Sequence, residues 1–326
     1  MIINNVTPEQ ENELIKVIPK RTLSINVTKT IKEYSNLVWS VLLLNDQRIA
    51  FSSDDLAIKI FNLKTFHCYI YLLGHKKIIT SIIQIKNGKL ISSAEDNSIK
   101  IWILFKFSFI CEYTFENAHN HWVTKVIELS DNRIASCSLD LTIKIWNHSS
   151  PYNLIKVLEG HTRWVSSIVG LKNQLFLISI SYYDKTLRVW DLKSYQCQTV
   201  ITNVMSYWNN GVLELDNQKL LIGGPSKLYI LNTVTFIVEK EIKNANLKGD
   251  ISAFLQINDH YILCSYGKGN MCIYNSNTNS LAFVLDKIHS GELTQIAKIA
   301  KNKFVSSSCD CTVKVWKFVL NESYKY

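Results

Sequence analysis

Proline and glycine are scarce in this 326-residue chain, at four and eleven residues. That excludes collagen-like repeats, Pro-rich spacers and a string of small modules on Gly-rich linkers. Charged residues make up only 19% of the chain against 47% apolar. This balance excludes wholesale disorder and supports a large core. Cys-x-x-Cys is missing, although cysteines stand at 68, 111, 137, 197, 264, 272, 309 and 311. The opening MIINNVTPEQENEL carries acidic residues and no charged-then-apolar run, so it does not read as a secretory signal. The cysteines therefore read as reduced thiols, and an intracellular location, cytoplasmic or nuclear and not secreted, is expected. The closest pair, Cys309 and Cys311, reads as alternate residues of one strand.

Long apolar runs are absent too. The most apolar stretch, Ile99–Cys111, is too short to cross a bilayer and is broken by Lys100 and Lys106, so no membrane span is expected. Helical periodicity is missing from Ile31 to Phe318. Neither GxxxxGK[ST] nor GxGxxG occurs, and no cofactor is expected.

What the sequence does contain is a repeat. An apolar run, a polar turn and a short strand closed by a bulky residue recur as SSDDLAIKIFN, SAEDNSIKIWI, CSLDLTIKIWN, SYYDKTLRVWD, GGPSKLYILN, YGKGNMCIYN and SSCDCTVKVWK. The closing residues are Phe61, Trp102, Trp146, Trp190, Leu231, Tyr274 and Trp316, spaced by 41, 44, 44, 41, 43 and 42 residues. Each unit reads as four short strands separated by turn residues. One such sheet cannot bury both faces alone, whereas seven closed into a ring can. The expected fold is all-β, a seven-bladed propeller of four-stranded antiparallel blades. Ser24–Ile31 (SINVTKTI) precedes the first innermost strand and is expected to supply the outer strand of the last blade. The domain reading is an N-terminal extension over 1–22, a propeller over 23–318 and a tail over 319–326. Thr7-Pro8-Glu9-Gln10 predicts a short helix to about Val17, ended by Pro19.

Gly74-His75, Gly160-His161 and Trp190-Asp191, within this repeat, resemble the WD-repeat β-propeller family from about Leu23 to Phe318. Ala118-His119 and Ile288-His289 keep only the histidine. The resemblance implies a buried tetrad of His, Ser, Asp and Trp in four blades: His75, Ser92, Asp96 and Trp102; His119, Ser136, Asp140 and Trp146; His161, Ser179, Asp184 and Trp190; His289, Ser306, Asp310 and Trp316. Ser179 is displaced by one position. A Ser–His–Asp set could be a nucleophile with its base and acid. Four copies at the repeat period argue for a stabilising role instead, and no catalytic residue is assigned. Blades one, five and six lack the set, with Tyr34, Phe51 and Phe61 in the first, Pro225 at the turn of the fifth and Lys268 in the sixth. His119-x-His121 offers too few ligands for zinc, and no metal site is assigned.

Lys59, Lys100, Lys144, Arg188 and Lys314 share one strand position, so much of the net charge of +9 is spread round the ring. Trp122, Trp164 and Trp208 share another, just before the innermost strands of blades three, four and five. The family resemblance places that position on the face where partners bind. Leu139 and Tyr183, each before a turn Asp, face the same way, with Lys76, Lys77 and Arg163 nearby. An aromatic arc with a polar surround suits a protein-binding hot spot. The expected function is a non-catalytic interaction scaffold binding a protein or peptide, within a larger complex. The alternatives are a substrate receptor of a ubiquitin ligase, or nucleic-acid or anionic-lipid binding through the positive charge. Trp190-Asp191-Leu192-Lys193 ends in Lys where such receptors often carry Arg, and loses its bidentate donor.

Overall fold

Each repeat folds as an antiparallel meander because its alternating apolar strands are punctuated by turn residues every five to eight positions. In a computed structural model, residues 23–32, 37–65, 67–105, 108–129, 132–173, 175–204, 211–215, 218–243, 249–278 and 280–320 are described. Among them lie 28 strands in seven four-stranded antiparallel sheets, and no helix. In blade one the strands are Val38–Leu43, Arg48–Ser53, Ile58–Asn62 and Cys68–Leu72, from innermost to outermost. The other innermost strands are Ile79–Gln84, Val123–Glu128, Ser167–Gly170, Val212–Glu214, Ile251–Gln256 and Leu293–Ala300.

Blade seven takes three strands from the end of the chain and one from its beginning. Leu23–Ile31 pairs antiparallel with Val313–Leu320, from Leu23 opposite Leu320 to Ile31 opposite Val313. That last strand runs two residues past Phe318. The helix expected over Thr7–Val17, together with Tyr34 and Trp208, lies outside the described residues.

Seven apolar clusters fill the seven seams between neighbouring blades. Leu44, Ile60 and Ile70 of blade one meet Ile79, Leu90 and Trp102 of blade two. The seam between blades seven and one closes the series, with Val305 and Val315 against Val41, Phe51 and Phe61. Apolar burial at roughly 25 cal/mol per Å² is thus collected between blades rather than within them.

Hydrogen bonds tie four pairs of neighbouring innermost strands. Pairing with the second strand skips one residue in blades one, two, three, six and seven, between Val38/Ser40, Ile79/Ser81, Val123/Lys125, Ile251/Ala253 and Leu293/Gln295. The skipped residue bulges and turns its side chain toward the next blade. Thr80 donates to the Val123 carbonyl at 2.6 Å, Thr124 to Val165 at 2.8 Å, Ser252 to Leu293 at 3.0 Å and Thr294 to Val38 at 2.6 Å. Blade one breaks the pattern: Trp39 stands at the bulge and its indole N–H goes to Asp54. Ser52, opposite, is left with a buried hydroxyl that has no hydrogen-bond partner.

All eight cysteines are thiols. Cys309 and Cys311 are not alternate residues of one strand. They flank Asp310 in a turn, where Cys311 is left-handed at φ 64.

Blades two, three, four and seven carry polar ties that blades one, five and six replace with other contacts, such as the edge-to-face Phe51–Phe61 pair at 5.3 Å. Amide hydrogen exchange is expected to show slower exchange in the second strands of blades two, three, four and seven. Equal protection in Arg48–Ser53, Lys219–Gly224 and Tyr261–Tyr266 would contradict that ranking.

Candidate functional site: polar tetrads under an aromatic face

One face of the ring is formed by the loops that lead into each innermost strand and by the turns between second and third strands. In four blades a histidine from the loop reaches under this face and ties the two together. His75 Nδ1–H donates to Asp96 at 2.9 Å, Ser92 Oγ–H to His75 Nε2 at 2.7 Å, and the Trp102 indole N–H to Ser92 Oγ at 2.8 Å. The same three bonds join His119, Ser136, Asp140 and Trp146 at 2.7–2.8 Å. His161, Ser179, Asp184 and Trp190 repeat them at 2.7–2.8 Å, as do His289, Ser306, Asp310 and Trp316.

A fifth member escaped the sequence reading. Ser98, Thr142, Thr186 and Thr312, two residues after each Asp, donate both backbone N–H and hydroxyl to its Oδ1. The Asp Oδ2 takes a further backbone N–H from Lys76, Asn120, Thr162 or Ser290. The carboxylate is saturated with donors. The recurring D-x-[ST] spacing was the available signal.

Burial alone works to raise these carboxyls, yet the donors from His, Ser or Thr and the backbone hold Asp96, Asp140 and Asp310 far below the usual range and Asp184 at about 2. Burial pushes His119, His161 and His289 down, against the opposing pull of their Asp partners. Each is a neutral imidazole beside an ionised carboxylate. The serines are fully buried, and each hydroxyl donates to His while accepting from Trp. No substrate can reach such an oxygen, which makes these sets cross-braces and not nucleophiles.

The shared Lys position also belongs to the frame. Lys144 donates to the Ala118 carbonyl at 2.7 Å, Lys314 to the Ile288 carbonyl, and Lys100 to Thr114 at 2.9 Å, while Lys59 pairs with Asp55. In blades two and four the Lys100 and Arg188 side chains lie against Gly74 and Gly160, where a Cβ would meet Arg188 Nη1 at 2.9 Å. Glycine before histidine makes room for a side chain that elsewhere bonds the carbonyl. These cations turn inward and do not form a basic groove.

On the face itself, Trp164 is 40% exposed and Tyr183 53%, and their rings meet edge to face at 5.1 Å. Tyr182 packs on Tyr183 at 5.3 Å in the same manner. Trp122 is half-buried, its ring 5.6 Å from that of His121, whose Nδ1 accepts the backbone N–H of Trp122. Lys76, Lys77 and Arg163 are exposed. Leu139 is not on the face: it is 5% exposed. Its N–H is pinned to the Trp122 carbonyl, the bond made by Asp54, Glu95 and Cys309 to Leu37, Ile78 and Glu292 in other blades. Blade four has one more residue in this turn, Ser181-Tyr182-Tyr183-Asp184, which carries Tyr183 outward while Leu139 stays down. The arc that the described residues support is therefore Trp122, Trp164 and Tyr183. Away from it the face is acidic, and crowding by burial and then by Asp54 raises the Glu95 carboxyl. Among the described residues no group of three or more His, Cys, Asp and Glu could hold a metal, and no helix is long and apolar enough to cross a membrane.

Two outcomes follow for the tetrads. Ser136→Ala leaves His119 Nε2 and the Trp146 N–H buried without a partner, which costs about 1–3 kcal/mol; a denaturation midpoint unchanged from wild type would contradict it. His119, His161 and His289 have folded pKa values below the unfolded 6.5, so the unfolded chain binds more protons and stability falls as pH drops below about 6.5. The depressed Asp values act in the same direction below 3.8. Midpoints measured from pH 7 to 5 are expected to fall, and a rise would contradict the protonation states.

Comparison with known proteins follows the blades that carry tetrads. A family model, "WD domain, G-beta repeat", matches residues 66–102, 109–147, 152–191 and 281–317. Among curated proteins, the chain is 28% identical over 84% of its length to "COMPASS component SWD3" of Saccharomyces cerevisiae, covering 78% of that protein. It is 26% identical over about half its length to "Zinc finger CCCH domain-containing protein 62" of Arabidopsis thaliana and to "WD40 repeat-containing protein smu1" of Dictyostelium discoideum. The match spans only 38% and 33% of those two relatives. With four matched repeats in a ring of seven blades, the chain belongs to the WD-repeat β-propeller family.

Proposed function

We propose that this protein is a non-catalytic intracellular subunit that holds a protein or peptide partner on the face carrying Trp122, Trp164 and Tyr183. The observation behind the reading is the exposed edge-to-face pair of Trp164 and Tyr183. Two large rings left in water at neighbouring loops are costly unless a partner covers them. Their loops are anchored from beneath by the His161–Asp184 brace, so little order is lost on binding. A partner's apolar side chain would bury against the two rings, and Arg163 and Lys76 at the same rim would meet acidic flanks. The yeast relative is by name a component of an assembly, which agrees with a subunit role.

The test is affinity purification with mass spectrometry from the native cell, comparing wild type with the Trp164→Ala/Tyr183→Ala double variant, both shown to be folded. Truncating a central aromatic costs at least about 2 kcal/mol, or roughly thirtyfold in Kd. Partners should be specifically lost from the variant. Retention of the full partner set would move the binding surface elsewhere on the ring.

A further inference from the structure

Pairing with the second strands puts one residue of each innermost strand at a common level of the ring. Opposite Ser52, Ser93, Cys137, Ile180, Ser265 and Ser307 stand Ser40, Ser81, Lys125, Ser167, Ala253 and Gln295. Across these six blades the level holds one cation and no carboxylate.

Ser40, Ser81, Lys125 and Gln295 line a cavity of about 80 Å³, together with Thr80 and Thr124. Every residue of its lining belongs to the innermost strand of blade seven, one, two or three, so the cavity opens from the wall of the central channel. Its surface is rich in donors. Gln295 Oε1 accepts from the Ser40 hydroxyl at 2.9 Å and from the Val41 N–H at 2.8 Å, which fixes the amide. Neither the Gln295 Nε2 amide group nor the Ser81 hydroxyl has a hydrogen-bond partner among the described residues. The Lys125 ammonium donates to Ser167 Oγ at 3.3 Å, a neutral acceptor. Burial pushes Lys125 down to about 8, and the opposing pull comes from Cys137, not from a carboxylate. Glu128, further along the same strand, accepts the Lys86 N–H at 3.0 Å and does not line the cavity.

We propose that this cavity binds one small tetrahedral oxyanion, inorganic phosphate or an ion of its shape, through Lys125, Ser81 and Gln295. At roughly 30 Å³ per water in the liquid, it has room for one such ion and too little for a nucleotide. A charged donor and two neutral ones would meet the ion, and charge-assisted hydrogen bonds are the strong ones. An anion there would also compensate a cation that burial works against. The site is reached along the channel and not through the rings of Trp164 and Tyr183, and it stands whether or not that face binds a partner.

Isothermal titration calorimetry of the full-length protein with inorganic phosphate, at constant ionic strength in chloride, is expected to give saturable binding at one site per chain. Sulfate should compete, and planar nitrate should bind at least tenfold more weakly. Lys125→Met removes the charge and should weaken phosphate binding at least tenfold. Gln295→Glu keeps the acceptor used by Ser40 and Val41 and adds a carboxylate to the lining. It should keep the denaturation midpoint and abolish binding. Trp164→Ala should leave binding unchanged. Absence of saturable binding, equal affinity for nitrate, or binding that survives Lys125→Met or Gln295→Glu would each overturn the proposal.

Discussion

No sheet in this protein can bury its own two faces, and every other feature depends on that constraint. Apolar seams run between blades, so stability is shared round the ring and each blade depends on two neighbours. An open series of seven would leave one seam exposed. Pairing Leu23–Ile31 with Val313–Leu320 completes blade seven with a strand from the far end of the chain. Hydroxyl ties from Thr80, Thr124 and Ser252 join further neighbouring blades, and that of Thr294 crosses the closing seam to Val38.

The tetrads solve a different problem. On the face that carries Trp164 and Tyr183, each of the four histidine-bearing loops has an internal anchor. A neutral histidine linked to an ionised aspartate fixes loop to turn, while its other nitrogen, the serine and the tryptophan fix both to the blade. The chemistry resembles that of a nucleophilic triad, but the geometry closes the oxygen off from solvent. In blade four the braced loops display Trp164 and Tyr183 to water.

Much of this was legible in the sequence. The bulky closing residues from Phe61 to Trp316 set the period, and the recurrence of His, Ser and Asp marked which blades carry the brace. The displaced Ser179 marked an irregular turn, but its consequence was hidden. Leu139 and Tyr183 both precede an Asp, and only the extra residue in the blade-four turn sends one inward and the other out. The bulge hydroxyls were invisible because a bulge is defined by pairing register, which no single strand encodes. The inward course of Lys144 and Lys314 was also hidden, because a lysine's sequence position does not say where its ammonium goes.

The central claim is a rigid ring that presents Trp164 and Tyr183 to a partner. Its most direct test is site-specific photo-cross-linking in the native cell, with a benzophenone amino acid placed at Tyr183 and, as a control, at the exposed Tyr71 on the outer strand of blade one. The account predicts that the probe at position 183 captures a discrete protein that the probe at position 71 does not. Cross-links from position 183 confined to this chain itself, or identical products from both positions, would contradict it.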